Sequence, residues 1–333
     1  MKAAVIHRYG KNDQVQVEEV AKPEPLANDL LVSVHAASVN PVDFKIRGGE
    51  LKQIVPYRLP LVLGNDLSGV VVSVGASVSG FKVGDEVFAR LDKDRIGTYA
   101  EFALVHETAA ARKPAKLSHV EAASIPLVGL TAWQALVDIA KLSPGQSVLI
   151  HAGSGGVGTF AIQLAKHLGA TVATTVGARN GDLVKGLGAD QVIDYKSQRF
   201  EELVKDVDVV FDTQGGETLE RSFRVVKRGG TVVTVGGVPD AKFAKAWGLN
   251  PFLVLALRFL TRRITRAAKT HGAKFEYLFM HADGAELGKI ARLLDAGVIR
   301  PVIDRTFHLA SIRDALAYAE TGRTVGKVVV TIP

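Results

Sequence analysis

Cysteine is absent from the 333 residues. That excludes disulfides, a thiol nucleophile and any zinc site built on thiolates, and it is compatible with a reducing compartment. Long apolar runs are also missing. The opening MKAAVIHRYG has no stretch that would serve as the core of a signal peptide. The most apolar run, NPFLVLALRFL (Asn250 to Leu260), is interrupted by Arg258 and falls well short of the ~20 residues needed to span a bilayer. The expectation is a soluble, cytoplasmic protein without a membrane span. Aromatic residues are scarce at 7%, whereas Gly numbers 33, a balance that suits a turn-rich α/β protein better than a helical bundle. Acid is in deficit: 41 Lys and Arg against 34 Asp and Glu leave a net charge of +7. A basic chain fits nucleic acid, an anionic membrane surface, or an anionic cofactor. The glycine loop described below favours the cofactor.

What is present falls into two rhythms. Residues 1–123 read as mostly β, with short apolar runs such as LLVSVHAASV, SGVVVSVG and DEVFARL set between Gly, Asp and Pro turns. From 124 onward SVLIHAG, TVATTVG, QVIDY, DVVFDTQ and TVVTVGG read as buried strands. Helical patterns such as VGTFAIQLAKHLG lie between most of them. Strand and helix in alternation predict a parallel sheet covered by helices. After Pro239 come an apolar and basic segment (Phe252 to Lys269), the strand-like FEYLFM, further helices and a final strand GKVVVTIP.

The loop LIHAGSGGVG (Leu149 to Gly158) sets Gly153, Gly155 and Gly158 in the spacing G-x-G-x-x-G, with Ser154, Gly156 and Val157 between them. It follows a strand and opens a helix, and a second strand begins at Thr171. In that context one glycine makes the turn, one lets a pyrophosphate approach the backbone, and one lets helix and strand pack. The acid that usually binds the adenosine ribose is missing: Thr174 to Gly181 holds no Asp or Glu, but Gly177 and Arg179 instead. An arginine attracts a 2′-phosphate that an acid would repel, so NADP(H) is expected over NAD(H). The competing reading has Arg179 pointing into water. Asp182 is expected to cap the following helix.

NPVDFKIRGG (from Asn40), LGNDLSGVVVSVGASVSGFKVGDEV (from Leu63), GTYAEF, IPLVGLTAWQAL, AGSGGVG and GKVVV together resemble the medium-chain dehydrogenase/reductase superfamily. The branch they resemble is that of the zinc-free quinone oxidoreductases and enone or alkenal reductases, which includes zeta-crystallin. The resemblance implies a GroES-like β-barrel domain (1–123, completed by 270–333), a Rossmann domain (124–269) and an active site in the cleft between them. Where zinc-dependent members carry Cys and Gly-His-Glu, this chain has Asn40 and Gly64-Asn65-Asp66, so no metal is expected. The nine histidines are read as surface or packing residues.

Without a metal to polarise an alcohol, reduction of a conjugated double bond is the easier chemistry. Hydride reaches the β-carbon, and the charge that spreads to the carbonyl oxygen needs a donor. Lys45 is the candidate, since the enone and alkenal reductases that the chain resembles carry Lys there; a solvated surface lysine is the alternative. Asn40 and Asp43 complete the catalytic set, as residues that position the nicotinamide side and hold the loop, or that cap a turn. The resemblance further places Thr131 by the nicotinamide and Tyr195 near the adenosine phosphate. It makes TVGG (Thr234 to Gly237, with Val235 and Gly236) a loop closing over the cofactor. Residues 252–269 read as a lid-like helix or as a core helix with a solvated basic end. YLFM (Tyr277 to Met280) reads as pocket wall or as a sheet edge that would make a homodimer. The expected function is NADPH-dependent reduction of a small lipophilic enone, enal or quinone. One-electron quinone reduction stays open, as does a non-catalytic NADPH-binding protein with an RNA or protein partner.

Overall fold

Eleven residues rich in Val, Leu and small side chains, Asp29–Val39, form the longest strand, and nearly all of them are buried. A strand covered on both sides needs neighbours on both edges, and this one pairs with three others. A computed structural model describes all residues from Met1 to Pro333. The chain divides into two units, Met1–Leu130 with His281–Pro333, and Thr131–Met280. Both divisions fall later in the chain than the expected 123/124 and 269/270.

In chain order the strands are β1 (Lys2–Ile6), β2 (Gln16–Glu19), β3 (Asp29–Val39), β4 (Leu61–Val62), β5 (Asp66–Val74), β6 (Glu86–Arg90), β7 (Phe102–His106) and β8 (Ala110–Arg112) in the first unit. The second unit has β9 (Ser147–Ile150), β10 (Thr171–Val176), β11 (Gln191–Asp194), β12 (Val207–Asp212), β13 (Val226–Thr234) and β14 (Lys274–Tyr277). The chain then returns to the first unit with β15 (Ile303–His308) and β16 (Lys327–Thr331). There, β15-β16-β3-β5-β6-β8 make a sheet with β7 paired to β3, and β2-β1-β4 make a second. The main core of the unit includes Leu30, Leu67, Val87, Tyr99, Leu316 and Val330, with smaller clusters around Ala3 and Ala36.

The second unit is a parallel sheet in the order β11-β10-β9-β12-β13-β14. Counted from β9 this is the Rossmann order 3-2-1-4-5-6, and the winding reverses between β9 and β12. The expected five strands are present, and Lys274–Tyr277, which takes in the start of FEYLFM, supplies a sixth at the sheet edge rather than joining the first unit. The expected single helix over Phe252 to Lys269 is two, Pro251–Leu260 and Arg262–His271. They meet at the buried Thr261, whose hydroxyl donates back to the Leu257 carbonyl at 2.7 Å. The second helix lays Ile264, Ala267 and Ala268 on the sheet core.

Candidate active site

In a parallel sheet the loops at the C-terminal strand ends surround the reversal point, and ligands bind there. All the cofactor candidates except Thr131 sit on that edge. Gly153 to Gly158 follow β9, Gly177 and Arg179 follow β10, Tyr195 follows β11, and Val235 and Gly236 follow β13. Thr131 lies buried in the helix Pro126–Trp133.

The three loop glycines have different physical reasons. A Cβ on Gly153 would stand 2.1 Å from Thr174 Oγ1, and one on Gly158 would stand 2.4 Å from the Ala152 carbonyl oxygen. Both glycines are therefore required by packing, Gly153 against β10 and Gly158 against the turn that precedes its helix. A Cβ on Gly155 meets nothing closer than 3.4 Å, so the fold alone does not demand glycine there. Close approach by a phosphate to the backbone would demand it. The loop's tight bend falls on Ala152 instead, which adopts a left-handed conformation with φ 54°, a cost that a side chain rarely bears outside functional loops. Gly155 caps the helix Gly156–His167, whose first turn carries no acid and leaves the positive helix end open to an anion.

Neighbouring loops are tied to this one. Asn180 donates its side-chain amide to Ser154 Oγ at 3.1 Å. The Tyr195 ring stands beside Gly177, 3.8 Å from where a Cβ would be. Arg179 is exposed and engages no ion pair. Asp182 does not cap its helix as expected: Asn180 holds that position, and Asp182 sits in the first turn. Asp212, buried at the end of β12, accepts from the backbone N–H groups of Gln214 and Gly215 and from Thr234 Oγ1. This braces the loops after β12 and β13, where Gly215 and Gly236 pack backbone against backbone. His151 is wedged beneath the glycine loop between Thr175 and Ser222 hydroxyls. Burial pulls its pKa down to about 4, so it is a neutral strut. His151 thus takes the packing role expected of the histidines, whereas the roles of Ala152, Asn180 and Asp212 were missed by sequence reasoning.

Gly155→Ala should leave thermal stability near the parent's and weaken NADPH binding by roughly tenfold or more, because the added methyl stands where a phosphate approaches. Gly153→Ala should instead lower stability by about 1–3 kcal/mol through overpacking. Melting curves with and without NADPH separate the two, and equal loss of stability in both would refute the assignment.

The catalytic candidates lie in the first unit, on or beside the helix Pro41–Gly48. Asn40 is its N-cap, and Asn40 and Asp43 form a capping box. Both are buried and fully occupied. Asp43 accepts from the Asn40 backbone N–H (2.7 Å), Tyr99 Oη (2.7 Å) and Asn65 Nδ2 (2.7 Å). Asn40 donates to Asp66 Oδ2 (2.8 Å) and accepts from Lys327 Nζ (2.5 Å). Lys327 also donates to the Val39 carbonyl at 3.0 Å and stands 3.8 Å from Asp66. Lys45, on the same helix, is half-buried, and no hydrogen bond or ion pair engages its ammonium. Of the three, only Lys45 is chemically available, while Asn40 and Asp43 lock the helix that carries it.

The same network bears on metal binding. Asn40 and Asn65 stand where thiolate and imidazole ligands would be, and a lysine ammonium already occupies the side-chain oxygen of Asn40. A cation beside neutral amides does not suit Zn²⁺. His281, Asp283 and Glu286 bring ligand atoms within 4.8 Å of one another, but Asp283 is occupied as the N-cap of the helix Gly284–Asp295.

Burial pushes the Asp43 carboxyl up to about 6, against hydrogen bonds that pull it down. A raised carboxyl pKa means that the folded state holds the proton more tightly than the unfolded chain. Its contribution is therefore greatest at low pH, and is lost as pH rises from about 4 to about 6. Asp43→Asn should flatten that decline, with Asn65 turning its unpartnered Oδ1 to the new amide. Urea midpoints at about pH 4 and about pH 7 test it: a slope unchanged in the variant assigns the titration to Asp66, whose carboxyl burial also raises.

Comparison with known proteins fits this geometry. Residues 26–115 match the family model "Alcohol dehydrogenase GroES-like domain" and residues 187–330 match "Zinc-binding dehydrogenase". The chain is 38% identical to the 2-methylene-furan-3-one reductase of Solanum lycopersicum, over 99% of its own length and 79% of that protein. The chain belongs to the medium-chain dehydrogenase/reductase superfamily, in its zinc-free quinone oxidoreductase branch. Within that superfamily it is 37% identical to the mitochondrial NAD(P)H oxidoreductase RTN4IP1 of Homo sapiens, covering 100% of this chain and 89% of that one. The quinone oxidoreductase of Coxiella burnetii superposes with a TM-score of 0.87 at 34% identity, over 100% and 99% of the two chains. The Escherichia coli quinone oxidoreductase, complexed with NADPH, gives 0.84 at 27% identity over 99% and 100%. No helix here is long and apolar enough to cross a membrane. The human relative is mitochondrial, so kinship lends no support to the expected cytoplasmic location.

Proposed function

We propose that this NADPH-dependent oxidoreductase reduces the C=C bond of small lipophilic α,β-unsaturated carbonyl compounds, enones and enals, without zinc. The single observation that carries the reading is Lys45: an unpaired ammonium on a helix whose base is fixed by buried hydrogen bonds. The reductase from Solanum lycopersicum, named for an enone, supports it. Quinones, named in the relatives of known structure, are the second acceptor class.

Gly153 to Gly158 would hold NADP(H), with the helix N-terminus offering its backbone N–H groups to the pyrophosphate. Gly177 and Tyr195 would flank the adenosine side, Arg179 would supply charge to the 2′-phosphate, and Val235, Gly236 and Thr131 would attend the nicotinamide half. When bound, the cofactor supplies hydride to the β-carbon of the acceptor. Lys45 would donate to the carbonyl oxygen as negative charge gathers there, and stabilise it. Asn40 and Asp43 hold the backbone that aims Lys45, and carry no proton in the reaction. The α-carbon takes its proton from water.

NADPH consumption should be fast with a 2-alkenal or cyclic enone, measurable with a quinone, absent with neither, and unaffected by chelators. Activity with the quinone alone, through one-electron transfer, would replace this reading. Arg179→Ala should weaken NADPH binding roughly tenfold or more and leave NADH unchanged, since a charged hydrogen bond is lost for one cofactor only. Equal parent affinity for both would show that Arg179 points into water.

A further inference from the structure

The helix Pro251–Leu260 buries only Leu257 fully. Phe252 is 84% exposed, Leu255 64%, Phe259 62% and Leu260 63%. They recur at helical spacing and form one apolar face, unlike the isolated exposed Leu26 or Val83 elsewhere. The next helix, Arg262–His271, turns its own apolar side inward and presents Arg262, Arg263, Arg266 and Lys269 to solvent. Arg262 lies over the Phe259 ring at 4.3 Å, so the apolar and cationic surfaces are continuous. Residues 241–275 contain no Asp or Glu at all.

We infer that this helix pair docks the protein on an anionic phospholipid surface, the apolar face entering the headgroup boundary and the arginines pairing with lipid phosphates. Large apolar side chains beside unneutralised cations are what an interfacial helix requires. Ten residues reach about 15 Å, enough to lie in the interface and too short to cross. Nucleic acid would use the cations but leave Phe252, Leu255 and Leu260 in water. A second copy would set one acid-free basic face against another. The inference rests on exposure and charge in this segment, and not on the proposed substrate.

Cosedimentation of the full chain with vesicles tests it. Vesicles of phosphatidylcholine mixed with phosphatidylglycerol should bind the protein at low salt, and phosphatidylcholine alone should bind it weakly. Phe252→Ser/Phe259→Ser and Arg262→Glu/Arg263→Glu should each weaken binding roughly tenfold or more. Arg262→Lys/Arg263→Lys keeps the charge and should retain binding, which guards against a folding defect. No binding to phosphatidylglycerol vesicles overturns the inference, as does binding that survives loss of both phenylalanines. A fall in particle mass in Phe252→Ser/Phe259→Ser, without vesicle binding by the parent, would assign the face to a second copy. Retention of RNA without vesicle binding would assign it to nucleic acid.

Discussion

Lys45→Met is expected to lower turnover of an enone by about 10²–10³, the usual consequence of removing one donor from developing oxyanion charge. Methionine keeps the length and bulk of the side chain and removes only the charge, so the loss reports electrostatics rather than packing. The ammonium has no partner in the structure, and its removal orphans no buried acceptor. Stability should therefore change little. NADPH affinity should also hold, because the cofactor candidates apart from Thr131 cluster on the strand ends of the second unit. The defect should fall on kcat/KM for the acceptor and grow with the basicity of its carbonyl oxygen. Steady-state kinetics with an enone series and a separate NADPH titration check both halves. Near-parent turnover in Lys45→Met would make the residue a bystander, and would leave fold and family standing.

Lys327→Met is expected to do the opposite, with a large loss of stability. Lys327 is buried, donates to Val39 and Asn40, and stands 3.8 Å from the buried Asp66. Asp66 also accepts from Ser38, Asn40 and the Leu127 backbone N–H. Burial lowers the lysine pKa and raises that of the carboxyl, and each partner opposes the shift of the other. Removing one member of such a pair leaves an uncompensated charge and costs about 3–5 kcal/mol. The double variant Lys327→Met/Asp66→Asn should recover much of that. Denaturant unfolding of single and double variants measures the coupling. A single variant within about 1 kcal/mol of the parent would mean that the pair is already neutral in the fold.

The two lysines show what a sequence conveys and what it withholds. Both are lysines in short apolar stretches, FKIRG and GKVVV, and only Lys45 was legible as a candidate, through resemblance. Nothing local marks Lys327, whose acceptor on Val39 lies 288 residues away. Asn40 and Asp43 were legible as residues that hold the loop or cap a turn, since they are neighbours in the chain, and the structure makes them a capping box. That Asn65, Tyr99, Asp66 and Lys327 complete the same network was not legible, since those contacts join different strands.

By itself the sequence determined the parallel sheet, the glycine loop and the lack of a thiolate metal site. Strand and helix periodicity, glycine spacing and composition are properties of neighbouring residues, and local physics suffices to read them. It could not say that Gly153 and Gly158 serve packing while the fold leaves room beside Gly155, because that depends on which atoms of β10 and of the Ala152 turn a Cβ would meet. Nor could it say that FEYLFM closes the parallel sheet, or that the segment from Pro251 breaks at Thr261 and leaves Phe252 and Phe259 in solvent. Only the tertiary structure decided these, because burial and charge pairing are set by chain segments far apart in sequence that folding brings to the same few ångströms.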